Sequence, residues 1–181
     1  MKMQSKKTLL STRIFNVEEI QIASDSQANK SMYRIDCCDW ANVLAVTTDH
    51  RAILIRQPRP GSMCEVLETP GGMLDPDERD PTMAALRELE EETGFTSQRI
   101  LSLGSFNPNP ALMTNRIHYF LAMGCYPNPN RAHFPDPEEQ IKLEIVDAKS
   151  LNHLVRTGRI DHALSALCIM LAGKYVDLGT P

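Results

Sequence analysis

Residues 80–94 leave this chain little choice but a helix. Asp80-Pro81 joins an N-cap acid to a proline at the first helical position, where a missing N–H costs nothing. Thr82 to Thr93 is rich in Ala, Leu and Glu, and Gly94 supplies a C-terminal stop. The segments around it read as short strands. Arg13 to Ala23 and Met32 to Cys38 come first. Val43 to Thr48 and Ala52 to Gln57 predict a hairpin turning at Asp49-His50. Glu65 to Glu68 is a short strand that ends at Pro70-Gly71-Gly72, read as a turn. Arg99 to Phe106, Arg116 to Met123 and Ile141 to Val146 are further strands, separated by Pro/Asn-rich loops at Asn107–Pro110 and Pro127–Pro137. Helices near Ala148–Arg156 and Asp161–Gly173 close the chain. The fold class is α+β with mixed sheets, without the regular alternation of a doubly wound fold.

A length of 181 residues fits one domain of ordinary size, with enough buried surface to fold without a disulfide or metal staple. The five cysteines are odd in number and contain no C-x-x-C, so they read as reduced thiols. No run is long enough to span a membrane; the longest, Ala163 to Gly173, falls well short. The start, MKMQSKKTLLSTR, lacks a signal-peptide core, so residues 1–11 are expected to be a flexible terminus and the protein cytoplasmic. The five histidines form no H-x-H or H-E-x-x-H and are taken as structural or surface residues. Met63, Met73, Met83 and Met113 are taken as core gap fillers.

Charge is the first pointer to chemistry. From Glu65 to Glu92 there are ten acids against two bases, a net −8, while the whole chain is −4, so the remainder carries +4. This balance offers no basic face for nucleic acid. On the helix, Glu88 and Glu92 stand at i and i+4, with Glu91 at i+3 from Glu88. They crowd the last turns, at the negative end of the helix dipole, where each acid costs a few tenths of a kcal/mol or more. Helix stability alone would favour Lys or Arg there. A hard divalent cation, Mg²⁺ or Mn²⁺, explains the acids, because it takes oxygen ligands together with waters and substrate phosphates. The competing reading is a solvated acidic face or a protein-binding surface.

The longer pattern decides between them. Gly72, Glu78, then Arg87-Glu88-Leu89-x-Glu91-Glu92-x-Gly94-Phe95 closely resembles the Nudix box, G-x5-E-x7-R-E-U-x-E-E-x-G-U, where U is apolar. One departure is visible: eight residues, Arg79 to Leu86, separate Glu78 from Arg87 where the family has seven. The extra residue is placed in the loop before the helix, because Asp80-Pro81 fixes the helix start. Gln57-Pro58-Arg59 and Glu68-Thr69-Pro70-Gly71-Gly72 are similar to the Q-x-R and E-x-P-x-G of the ADP-ribose pyrophosphatase branch, and Pro110 stands where that branch carries a marker proline, 15 residues after Phe95. Asp136-Pro-Glu-Glu-Gln-Ile141 resembles the acidic loop before the family's last strand.

The resemblance implies a Nudix α/β/α sandwich over residues 41–181, with an N-terminal strand extension at 12–40 that reaches the partner of a homodimer. It implies Mg²⁺-dependent hydrolysis of nucleoside diphosphate sugars, ADP-ribose favoured. Alternatives are dinucleoside polyphosphates or oxidised nucleotides as substrates, or a non-catalytic nucleotide sensor. By the same resemblance Glu88, Glu92, Glu91 and the Gly71 carbonyl hold metal, and Arg87 can pair with Glu91. Arg59 is expected to clamp the diphosphate as a guanidinium fork. Glu68, Gly72, Pro110 and Trp40 complete the substrate-binding set, Glu68 by accepting a hydrogen bond from ribose or base. Phe15 and Tyr33, with Trp40, are possible stacking platforms. A general base separate from the metal-bound acids is expected in the 127–140 loop, at Glu139 with Glu138 the runner-up.

Overall fold

A computed structural model describes residues 2–23, 30–135 and 140–180. These form two compact units, one of residues 1–39 with 106–117, the other of 40–105 with 118–181.

The first unit is built on a three-stranded antiparallel sheet in which β1 (Met3–Ser11), β2 (Phe15–Ile22) and β3 (Lys30–Cys37) follow one another in order. The register sets Glu18 opposite both Thr8 and Arg34. Its buried carboxylate is held by Lys6 at 2.7 Å and Arg34 at 2.8 Å, as a buried charge must be. Residues 109–114 close on β3, with the Ile35 amide donating to the Leu112 carbonyl at 2.8 Å and Thr114 donating back to Ile35 at 3.0 Å. The expectation of a flexible 1–11 is corrected here, because Met3–Ser11 is a paired strand. All nine of its residues are exposed, so no apolar alternation marked it.

The second unit holds an eight-stranded sheet. Its central path runs β11 (Lys142–Asp147), β5 (Arg51–Arg59), β4 (Trp40–Thr47), β10 (Ile117–Pro127) and β8 (Phe95–Thr96). Off this path β6 (Cys64–Glu68) pairs with β5, β7 (Gly71–Met73) with β4, and β9 (Arg99–Phe106) with β10. The β4–β5 hairpin forms as expected, pairing Ala45 with Ile53 and Val46 with Ala52. Val43–Val46 and Ala52–Ile55 are fully or almost fully buried, the mark of strands covered on both faces.

Helix α1 (Pro81–Thr93) covers one face. Asp80 accepts a 2.9 Å hydrogen bond from the Thr82 amide, and Gly94 ends the helix at φ 75°, in the left-handed region that glycine enters without strain. Ala84, Ala85 and Leu89 pack into a cluster with Ala41, Val43 and Ala45 of β4. Those two alanines let the helix axis approach the sheet, and Arg87, Glu88 and Glu92 meet strand β7. Strand alternation turns Asn42, Leu44 and Val46 to the other face, where α3 (Ala163–Ala172) presents the buried stripe Ser165, Cys168, Ile169 and Ala172. Between β11 and α3 lie a 3₁₀ turn (Ala148–Ser150) and the short α2 (Leu151–Arg156). The fold is thus helix on sheet on helix, α+β as expected.

Two readings change. Gly71–Met73, taken as a turn, is strand β7, because β4 offers it a ladder (Trp40 opposite Met73, Asn42 opposite Gly71). Met63, Met73 and Met83 are exposed at 87%, 40% and 58%, so they fill no core gap.

Candidate active site

Arg87 sits at the centre of the acidic cluster with only 14% of its side chain exposed. Its Nε and Nη2 donate to the two oxygens of Glu78, both at 2.9 Å. Nη1 donates to Glu88 at 2.9 Å and to Glu91 at 2.8 Å, and Nη2 also reaches the Met73 carbonyl at 3.0 Å. One guanidinium therefore joins the pre-helix loop, β7 and two turns of α1. The hydrogen bond to Glu78, and then the charges of Glu88 and Glu91, tighten its hold on its proton against the opposing effect of burial. The same hydrogen bond holds the Glu78 carboxyl below the usual range. The extra residue before the helix does not detach Glu78. Residues 74–80 are irregular, the Asp75 amide donates to Glu78 at 2.9 Å, and the loop absorbs the insertion while its acid still reaches Arg87.

Glu92 and Glu88 face β7. The Gly71 amide donates to Glu92 Oε2 at 2.8 Å. Gly72 lies against Glu88: a Cβ there would meet the carboxylate atoms at 2.5–2.8 Å. Gly71 is equally constrained, since a Cβ on it would collide with the Ala41 carbonyl oxygen. Gly72 thus makes room for the Glu88 carboxylate, while Gly71 packs closely on β4 and offers its amide to Glu92. Among the described residues, no three acid, histidine or cysteine side chains are gathered as a complete metal cage. The donor set still fits a hard divalent ion, which keeps several waters and takes substrate phosphates beside one or two carboxylates. Glu88 and Glu92, steadied by Gly72 and Gly71, are the residues that could hold it, with Glu91 beside them.

A second polar group lies at the β5–β6 end. Arg59 grips Glu68 with one edge of its guanidinium, Nε to Oε1 at 2.7 Å and Nη2 to Oε2 at 2.8 Å. His162 Nδ1 meets Oε2 at 2.9 Å. The Glu68 side chain is 2% exposed. Burial pushes its pKa up, but the hydrogen bonds from Arg59 and His162 outweigh it and leave the group at about 2. Glu68 is therefore a buried carboxylate with both oxygens paired within the protein. Trp40 begins β4, half-buried, opposite Met73. Pro110 belongs to the other compact unit, exposed in the turn where the Leu112 and Met113 amides donate to the Asn109 carbonyl. Glu138 and Glu139 lie outside the described residues.

Residues 40–165 match the NUDIX domain description. The chain belongs to the Nudix family. It is 30% identical over 129 residues to an ADP-ribose pyrophosphatase of Bacillus subtilis, covering 67% of this chain and 68% of that protein. It is 26% identical over 160 residues to the methanol dehydrogenase activator of Bacillus methanolicus, covering 84% and 85%. A crystal structure of an ADP compounds hydrolase superposes with a TM-score of 0.81 at 22% identity, covering 96% of this chain and 92% of that one, which establishes the fold.

Two residues of this Nudix domain escaped the sequence reading. His162 carried no motif, and only the folded chain brings it to Glu68, 94 positions away. Glu90 occupies a variable position of the box, yet its buried carboxylate accepts the Ala132 amide at 2.5 Å and the His133 amide at 3.2 Å. Arg131 adds a 2.7 Å hydrogen bond to the Glu91 carbonyl. Together they tie residues 131–133 to the end of the Nudix helix.

Proposed function

We propose that this Nudix hydrolase cleaves the diphosphate of nucleoside diphosphate sugars, ADP-ribose first among them, in a Mg²⁺- or Mn²⁺-dependent reaction. The observation that carries the reading is the placement of Glu88 and Glu92 on Gly72 and Gly71, with Arg87 tying Glu88 and Glu91 to Glu78. The ADP-ribose pyrophosphatase among its relatives supports the substrate class.

A divalent ion bound there would neutralise the diphosphate and lower the pKa of a coordinated water. The chain's own residues do the rest. Arg87 keeps Glu88 and Glu91 in register, so the carboxylates need no reorganisation when substrate arrives. Arg59 lines the diphosphate with its guanidinium. Glu139, with Glu138 as the second choice, takes the proton from the attacking water. Water adds to one phosphorus and the bridging P–O bond breaks, giving a nucleoside monophosphate and a sugar phosphate. Gly72, Trp40 and the Gly71 carbonyl complete the proposed substrate and metal contacts.

We also assign the chain to the cytoplasm and to a homodimer. No described helix is long and apolar enough to cross a membrane. Leu9, Leu10 and Ile14 expose 47%, 53% and 48% of their surface in the N-terminal unit, whose outer strand β1 offers an open edge. Sedimentation at micromolar concentration tests it; a fully active monomer would remove the dimer.

The deciding experiment offers purified protein a panel of nucleotide sugars, dinucleoside polyphosphates and oxidised nucleotides, with Mg²⁺, with Mn²⁺ and with EDTA. ADP-ribose should be the best substrate, and EDTA should abolish turnover. Glu92→Gln should cut kcat by orders of magnitude while metal-free stability stays equal or rises. Undiminished turnover in Glu92→Gln would overturn the metal assignment, and preferred cleavage of a dinucleoside polyphosphate would overturn the substrate class.

A further inference from the structure

The first turn of α3 touches the Arg59–Glu68 group and Thr69, the residue that follows Glu68. His162, the residue before the helix, places Nδ1 2.9 Å from Glu68 Oε2 and 3.0 Å from Ser165 Oγ. Ser165 is fully buried and its Oγ accepts the Thr69 amide at 3.1 Å. Thr69 in turn donates through Oγ1 to Asn42 at 2.7 Å, and the Val43 amide donates to the Pro70 carbonyl at 2.9 Å. Residues 68–72 thus form one tethered strip. At one end Glu68 grips Arg59; at the other Gly71 meets Glu92 and Gly72 meets Glu88.

The chemistry gives the tether a purpose. A buried carboxylate needs partners for both oxygens, or it swings or takes up a proton. Arg59 partners both Glu68 oxygens, but its own side chain is 42% exposed, whereas His162 adds to Oε2 a donor carried by the start of α3. A second donor from a rigid helix start fixes that plane. The direction of the Arg59 fork then follows from the direction of Glu68.

We propose that His162 and Ser165 are positioning residues of the diphosphate site: His162 orients the Glu68 carboxylate that aims Arg59, and Ser165 holds the Thr69 amide that starts the strip leading to Gly71 and Gly72. The inference rests on the reading of Arg59 as the diphosphate clamp.

The test measures ADP-ribose binding by calorimetry in EDTA, and kcat and KM in Mg²⁺, for wild type, His162→Phe, His162→Asn, Arg59→Ala and the His162→Phe/Arg59→Ala double variant. A clamp misplaced by roughly 1 Å can cost up to about 10²-fold, so His162→Phe should weaken binding and raise KM by up to about that factor with kcat little changed. His162→Asn should recover most of it, because the Asn amide nitrogen stands where Nδ1 stood. His162→Gln, whose amide replaces Nε2 instead, serves as the second defective variant if His162→Phe does not fold. Once Arg59 is removed, His162→Phe should cost little more. Normal binding in both defective variants, failure of His162→Asn to recover, or full additivity in the double variant overturns the proposal while leaving the clamp intact. Normal binding in Arg59→Ala removes the clamp itself, and absence of binding by wild type removes the substrate reading, each taking this inference with it.

Discussion

The Glu88 carboxylate lies so close to the Gly72 backbone that a Cβ at residue 72 would stand 2.5–2.8 Å from its oxygens and Cδ. What must yield in Gly72→Ala is the far end of a flexible side chain. Gly72→Ala should therefore fold with a melting temperature close to wild type. Its turnover should fall by about 10²-fold, the effect of displacing a reacting-centre group by roughly 1 Å. The concentration of Mg²⁺ needed for half-maximal rate should rise. Steady-state rates across a Mg²⁺ series check this, and an unchanged Mg²⁺ requirement would separate Glu88 from the metal.

Arg87→Lys keeps the charge and loses the fork. The lysine ammonium cannot span both Glu78 oxygens while also reaching Glu88 and Glu91. Partly buried carboxylates are then left short of donors, at a net cost of roughly 0.5–1.5 kcal/mol for each hydrogen bond lost. Denaturant unfolding should show a loss of that order, and kcat should fall more than KM rises, because Glu88 and Glu91 lose their register. Wild-type kcat in Arg87→Lys would show that Arg87 is only a structural brace.

The helix and its box were legible in the sequence because their signals are local. Asp80, Pro81 and Gly94 act within one turn of where they stand, and Arg87 reaches Glu91 at i+4 by helix geometry. The β4–β5 hairpin was legible because doubly covered strands must be apolar throughout. β7 was not, since Gly71-Gly72 shows turn chemistry, and only pairing with β4 makes it a strand. The partners of Glu68 and Glu90 were hidden for a related reason. His162 and Ala132 come to them through the fold, across 94 and 42 positions of sequence.

Glu68 gives the protein a defined acid weakness. Its folded pKa of about 2 lies below the ordinary 4.5, so between these values the unfolded chain binds more protons than the folded one. The stability it contributes is present above about pH 4.5 and is lost as pH falls toward about 2. Its size is roughly 1–3 kcal/mol, discounted because Arg59 is partly exposed to solvent. Urea unfolding at a series of pH values should show this slope, and Glu68→Gln should flatten it. A parallel slope in Glu68→Gln would assign the acid sensitivity to other carboxylates.

Substitution of the loop acids tests the proposed general base. Carboxylates that hold a cation are poor bases, because the cation lowers their pKa. The proton must then go to an acid elsewhere, and the sequence supplies Glu138 and Glu139 a few residues beyond Ala132 and His133, whose amides Glu90 holds against α1. If the loop delivers the base, two kinds of variant should share a defect. Glu139→Gln should lower kcat by 10²–10⁴-fold with KM little changed, the usual share of general-base catalysis, and Glu138→Gln should do far less. Glu90→Ala, which frees the 132–133 amides, should also lower kcat, whereas Glu90→Gln keeps an acceptor oxygen and should lose little. Raising pH should partly restore Glu139→Gln, since hydroxide replaces the missing base, and should restore Glu90→Ala less. If both Glu138→Gln and Glu139→Gln stay within about threefold of wild-type kcat, the base is not in this loop, and Glu91, freed from Arg87, becomes the carboxylate to substitute next.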